Sequence, residues 1–424
     1  MDNATPGATV FVYDGTYIEN IVVNKTVSLV GQDLRQIIDG KRSGDAVRIS
    51  ADWVNPTGFT VTKGGPHGDD AGIEFDHAQN CRIEGNPIYA NGMDGILAQG
   101  SYDNTIENNM IHTNLRIGIY LISSNNNTLI GNNISFNIMG VLLGYSNGNT
   151  IAENNVDWNA EGINLRSSND NFVGYNTASN NGDEGIALSA SSGNLIEVNN
   201  ASLNNIGVSL VGSYDNSIRN NTFLFNDAAG VELGTSSDNV VYGNTASYGG
   251  GGIVILDCNE NIVSNNVLAH NTYQGIHAQF SQNITMVSNT ILHNGVGVNL
   301  LLCGNDTITQ NNVSLSQGAG IELERCQFVN IDGNTISSDN GSGIYLDASH
   351  NNVIVHNTIH RNNGSGISEH GCHDNTILNN ILFDNREPEG SIVVEIWFWL
   401  LIGLGIAIGV GAALVVFWMR RSMS

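Results

Sequence analysis

Apolar residues recur along this chain with a spacing of 22 or 23 residues. With Gly-(Ile/Val) as the anchor, the pattern returns at Gly72, Gly95, Gly118, Gly140, Gly162, Gly185, Gly207, Gly230, Gly252, Gly275, Gly297, Gly320, Gly343 and Gly366. Residues 343–359, GIYLDASHNNVIVHNTI, show one copy. The first position after the anchor is always Ile or Val, and the third is mostly Leu, from Leu121 to Leu346. Offset eleven runs from Ile83 to Ile377 and offset sixteen from Ile88 to Leu382. Apolar residues at alternate positions have the period of a strand with one buried face. Three strands of two to four residues, separated by Ser, Asn and Gly turns, predict a triangular rung. Rungs of this kind stack on their neighbours, so the repeat dictates the architecture.

The polar positions repeat as well. Offset fourteen is Asn in every copy: Asn86, Asn109, Asn132, Asn154, Asn176, Asn199, Asn221, Asn244, Asn266, Asn289, Asn311, Asn334, Asn357 and Asn380. Offset nine is Asn in most, including Asn104, Asn127, Asn216 and Asn352. Asparagine tolerates the left-handed backbone of a sharp bend. Its amide can also bond the same amide one rung away, about 4.8 Å along the axis. These asparagines are therefore assigned to a structural ladder. Offset six is Ser in most copies and Cys at Cys258, Cys303, Cys326 and Cys372. Cys303 and Cys326 lie near enough for a disulfide, but parallel side chains favour free stacked thiols.

A helical repeat of this length needs two amphipathic helices rich in Leu, Ala, Glu and Lys, and Asn, Gly, Ser and Thr dominate instead. A leucine-rich repeat needs more leucines per turn. What is left is an all-β, right-handed, three-sheeted parallel β-helix of about sixteen rungs, about 75 Å long at about 4.8 Å per rung. Gly95 to Ile111 and Gly366 to Ile381 closely resemble the NosD-type family of β-helix proteins, of the pectate-lyase-like superfamily, whose repeat reads Gly-Ile-x-Leu-x-x-Ser-x-x-Asn-Thr-Ile-x-x-Asn. The resemblance covers roughly residues 5 to 385 and rests on scaffold positions. It implies the β-helix, and copper handling as an activity.

Residues 1–63 read as N-terminal coils. Strands are expected at 10–13, 21–23 and 27–30, and Val47, Ile49, Phe59 and Val61 are expected to point inward. The Gly-Thr-Tyr-x-Glu-Asn at residues 15–20 resembles the opening of secreted β-helix proteins, which carry a cap and signal peptide before it, so the natural start is expected upstream. Residues 64–385 hold the fourteen regular rungs, preceded by a loop at 64–71. A linker at 386–391 leads to 392–419, which contains an uncharged run, IWFWLLIGLGIAIGVGAALVVFW, long enough to span a hydrocarbon core as one transmembrane helix. Trp397, Trp399 and Trp418 flank it, and Arg420 and Arg421 follow. The tail at 420–424 is thus expected in the cytoplasm and the β-helix outside the cell.

Charged residues make up 13% of the chain and the net charge is −25. That balance excludes nucleic acid as a partner, because phosphate backbones need a basic patch. It is compatible with divalent cations. Asp69 and Asp70 faintly resemble the paired carboxylates of polygalacturonase-type hydrolases, although the accompanying Gly-His-Gly and Arg-x-Lys are absent. Asp347, His350, His370 and His373 stack near the C-terminal end as candidate ligands for copper or zinc, and calcium is a further candidate cofactor. Tyr102, Tyr120, Tyr214 and Tyr345 are outward aromatics suited to carbohydrate. Glu369 stands where every earlier rung is apolar, so either the core opens there or Glu369 turns outward. The expected role is a membrane-anchored surface rod that binds envelope glycans or proteins without catalysis. The alternatives are a polysaccharide hydrolase or lyase, and copper handling.

Overall fold

The computed structural model of the chain describes residues 3–386. The transmembrane helix expected at 392–419, the tail, and residues 387–391 of the linker lie outside the described residues. Within them every regular element is a β-strand, and no helix is long and apolar enough to cross a membrane.

Strands from successive rungs pair in parallel and in register. Ile96 lies between Ile73 and Ile119, Ile106 between Ile83 and Leu129, and Ile111 between Ile88 and Ile134. Like therefore sits over like, and the inward columns form one continuous core. The first sheet has 17 strands and carries offset eleven; the third has 16 strands and carries the Gly-Ile segments. Here the anchor glycine is required by space rather than by φ. A β-carbon at Gly95 would sit 2.6 Å from both the Gly118 carbonyl oxygen and Ile111 Cγ2.

The rung differs from the triangle expected. Strands of the third sheet are mostly six residues long, as in Asp94–Gln99 and Ile117–Ile122, and each rung has four left-handed corners. In the rung that starts at Gly118 these are Ser123 (φ 48°), Asn126 (φ 57°), Gly131 (φ 66°) and Phe136 (φ 56°). The corner residues, not the ladder asparagines, adopt positive φ. Each corner turns the chain and is followed by an inward polar residue: Ser124, Asn127, Asn132 and Asn137, all buried. At a bend the strand ladder lapses, and these side chains replace it. Asn132 Oδ1 accepts both the backbone N–H and the Nδ2 of Asn109 at 3.1 Å, while its own Nδ2 donates to the Ile106 carbonyl at 2.8 Å. The offset-fourteen ladder runs unbroken from Asn86 to Asn380. A further Asn column at offset nineteen, such as Asn91–Asn114–Asn137, was not anticipated. Between the first two corners lies a short fourth side, bridged from rung to rung at one residue in some rungs, for example His350 against His373.

The second sheet is split into 7 and 8 strands. At the break Thr177 and Asn200 make only isolated bridges, and the inward residues there are Ala178 and Ala201. Phe223, fully buried between Ala201 and Ala246, restores the volume on the next rung. At the last rung the core opens: Ile367, Ile377 and Leu382 are only half-buried, and Glu369 is exposed, accepting the Asn375 amide at 2.7 Å. At the other end the strands Ala8–Val12, Ile21–Val23 and Val27–Gly31 lie close to the expected positions, and Gly15–Ile18 is a fourth strand beyond those expected. All five cysteines are free thiols.

Candidate ligand-binding side

The residues singled out from sequence fall on two neighbouring surfaces. Tyr102, Tyr214, His350 and His373 occupy one column of the short fourth side, where Tyr102 bridges Gln79 and His350 bridges His373. Tyr120, Tyr345, Asp347 and His370 lie on the outward face of the third sheet. The four tyrosines thus do not form one platform.

On the fourth side Tyr214 lines a cavity of about 660 Å³. Its neighbours there are Asn169, Asp170, Ser192 and Asp215, and glycines and an alanine complete the lining. The local backbone explains the concavity. Gly193 (φ 68°) and Gly212 (φ 55°) take left-handed corners without a side chain, and a β-carbon at Gly193 would stand 2.5 Å from Asp170 Oδ1. The walls are held by rung-to-rung bonds: Tyr214 donates its N–H to Ser192 Oγ at 3.3 Å, and Ser192 donates its N–H to Asn169 Oδ1 at 2.7 Å. The cavity therefore combines a part-exposed ring, two carboxylates, an amide and a hydroxyl, with no cation in its lining.

On the third sheet, Asp94 is fully buried and carries Arg116, whose Nε lies 2.7 Å from Asp94 Oδ1. Burial pushes the Asp94 carboxyl up and Arg116 counteracts this. The same guanidinium sits 5.5 Å over the Tyr120 ring. Asp69 is near enough for its charge to act on Asp94, Arg116 and Tyr120. Asp70 instead closes its own loop, taking the His67 N–H on Oδ2 at 3.0 Å. The two aspartates thus have different neighbours. Further along, His277 Nδ1 lies 2.8 Å from Asn299 Oδ1, and Asn299 reaches Glu322 and Glu324 at 3.4 and 3.5 Å. Burial, then the Glu324 charge, raises the Glu322 carboxyl.

His350 and His373 stack with ring centroids 3.6 Å apart. His350 Nδ1 is taken by the His373 N–H at 3.2 Å, and His373 Nδ1 lies 2.9 Å from Asp374. Asp347 and His370 pair with each other in register on the neighbouring column. Among the described residues no group of three or more His, Cys, Asp or Glu side chains is disposed to hold a metal ion. Four of the five cysteines are buried, and burial pushes the Cys81 thiol up to about 11. The donor set does not fit a resident copper ion.

Some functional-looking residues carried no signal in the repeat. Phe225, Tyr248, His270 and His293 stack ring on ring along one corner column, at 5.3, 4.9 and 4.6 Å. Their faces are turned to one another, so the stack offers edges to solvent and belongs to the scaffold. The Asp170–Asp215 cavity depends on which corners are glycine, and only the fold shows that these corners adjoin.

Among curated proteins no match to the sequence is found. Similar solved structures include the Dettilon tailspike protein, with 16% identity over 85% of this chain and 61% of that one (TM-score 0.34). They also include an alginate lyase from Paenibacillus sp. str. FPU-7, with 18% identity over 57% of this chain and 89% of that one (TM-score 0.33). A third is the A-module of the Azotobacter vinelandii mannuronan C-5 epimerase AlgE4, with 12% identity over 89% and 91% (TM-score 0.30). The chain thus spans about three-fifths of the tailspike's length, and likeness at this level says nothing of activity. The "Right handed beta helix region" profile matches residues 113–246 and 140–279. The profile described as "Periplasmic copper-binding protein (NosD)" matches residues 1–156 and 224–391. With most of its length matched, the chain belongs to the NosD family of β-helix proteins.

Proposed function

We propose that this NosD-family rod binds an uncharged stretch of glycan along its short fourth side, with Tyr214 as the anchor. The observation that carries the reading is the Tyr214 cavity itself. An amphipathic ring packs against the C–H face of a sugar, while carboxylates, an amide and a hydroxyl take its hydroxyl groups. The depression is broad and open to solvent. The rung spacing suits a polymer laid along the axis. In this reading the apolar run at 396–418 tethers the rod to a membrane and the cavity faces outward.

The test is a glycan array probed with the full-length chain and with Tyr214→Ala. The expected result is binding of neutral oligosaccharides, weakened tenfold or more in the variant. Its melting temperature should stay unchanged, because Tyr214 is 44% exposed. Equal binding by Tyr214→Ala, or no binding by either chain, would overturn the proposal. A second reading follows from Asp170 and Asp215. They stand two rungs apart, about 10 Å along the axis, near the carboxylate separation of an inverting glycoside hydrolase. Reducing ends released from a bound glycan, and lost in Asp170→Asn, would favour that reading over binding alone.

A further inference from the structure

A second cavity, of about 650 Å³, lies at the C-terminal rungs on the corner farthest along each turn. Arg361 and Arg386 line it, together with Asp339, Asn340, Asn363 and Asp384. In this strongly acidic chain Arg35, Arg48, Arg82, Arg116, Arg166, Arg219 and Lys63 each sit on a carboxylate. Arg361 and Arg386 are exposed and, among the described residues, neither forms an ion pair. Two guanidinium groups whose N–H donors have no partner among the described residues thus share one concavity.

The walls are built by a local repeat. Residues 340–344 and 363–367 both read Asn-Gly-Ser-Gly-Ile, so two identical turns stack. Asn363 Nδ2 donates to Asn340 Oδ1 at 3.0 Å, and Gly364 N–H donates to the Gly341 carbonyl at 2.8 Å. A β-carbon on Gly364 would meet the Gly341 backbone at 2.8 Å, so the turns approach closely only as glycines. Asn340 accepts in this pair, and its own amide N–H groups remain available. Asp339 is buried; its Oδ1 takes the Ser316 N–H at 2.7 Å and its Oδ2 has no partner. Burial pushes this carboxyl up to about 7, so near neutrality it opposes an anion only in part. Asp384 is the other carboxylate in the lining.

We propose that this cavity binds an oxyanion, held between the Arg361 and Arg386 guanidinium groups and the Asn340 amide. Guanidinium forks match the two oxygens of a carboxylate, sulfate or phosphate. The overall charge of −25 works against an anion at long range. At physiological salt that repulsion is screened beyond about 8 Å, so the two adjacent cations decide the local field. The oxyanion comes either from an acidic sugar of a glycan or from free phosphate, and the two sources are separated by the probe. The inference does not depend on the Tyr214 reading, since it uses different residues on a different side.

Isothermal titration of the full-length chain with inorganic phosphate and with a galacturonate hexamer tests it. At low salt at least one probe should bind. Affinity should fall tenfold or more in Arg361→Gln/Arg386→Gln, recover largely in Arg361→Lys/Arg386→Lys, and be unchanged in Lys41→Gln/Arg42→Gln. Preference for the hexamer identifies an acidic glycan, and binding of phosphate alone identifies a free-anion site. Circular dichroism checks that the exposed substitutions leave the fold intact. If neither probe binds the parent chain, or if the Gln double variant binds equally well, the site is not an oxyanion site.

Discussion

Ile284 donates its backbone N–H to Asp306 Oδ1 at 2.8 Å, across one rung step, while Asp306 Oδ2 meets no partner at all. Asp306 stands in the offset-nine column, where most rungs have Asn. At the equivalent place Asn261 uses its Nδ2 to reach the Ser236 carbonyl at 2.8 Å. Asp306 lacks that N–H, and its column neighbours are Ile284 and Val329, so the amide ladder is broken on both sides. A buried carboxyl in this setting holds its proton, and burial pushes Asp306 up to about 7.

The consequence is a pH dependence with a definite sign. A carboxyl raised from 3.8 to about 7 in the folded state contributes its full stability below about pH 4. That contribution is lost as the pH rises to about 7, and it is constant above. Linkage makes the loss of order 4 kcal/mol for a single group. Asp306→Asn should remove this slope and raise the unfolding free energy above pH 7. Denaturant unfolding at pH 4.5 and pH 8 measures both, and parallel pH profiles for the two chains would contradict the assignment.

The ladder predicts a cost out of proportion to its polarity. Asn221 Oδ1 takes the backbone N–H and Nδ2 of Asn199 at 2.8 and 3.0 Å, while its Nδ2 reaches Ile196 and Asn244. Asn221→Ala leaves at least two buried backbone groups unpaired, at roughly 1–3 kcal/mol each. A loss of about 3 kcal/mol or more is expected by chemical denaturation. A loss under 1 kcal/mol would mean that water or relaxed backbone replaces the amide.

Thiol chemistry should report the inward columns. The neighbouring Cys326 thiol, and then burial, push Cys303 up, and Cys81 and Cys258 are raised by burial. Only Cys372, on the open last rung, is partly exposed. Titration with a disulfide reagent should detect about one rapidly reacting thiol in the folded chain. All five should react after unfolding without reductant. Only three reactive thiols in the unfolded chain would instead show a disulfide between Cys303 and Cys326.

Much of the scaffold was legible because its physics is local and repeated. The Gly-Ile anchor, the inward columns through Ile106 and Ile111 and the Asn109–Asn132 ladder all follow from one spacing. Errors arose where the repeat is silent about backbone angle. Asn132 looked like a corner because asparagine tolerates positive φ, yet Gly131 makes the turn and Asn132 faces inward to satisfy it. The candidate sites were less legible. Tyr214 was visible as an outward aromatic, but nothing in the sequence joins it to Asp170, which lies two rungs away in space and 44 residues away in the chain.

The sequence by itself determined that this chain is a stack of parallel rungs, because a regular spacing of apolar and amide positions can be buried and paired only by identical neighbours in register. Tertiary structure alone decided where a concavity opens, which carboxyls lose their partners, and that Arg361 and Arg386 share one. Those properties belong to residues brought together across rungs, at positions where the repeat itself places no constraint on the side chain.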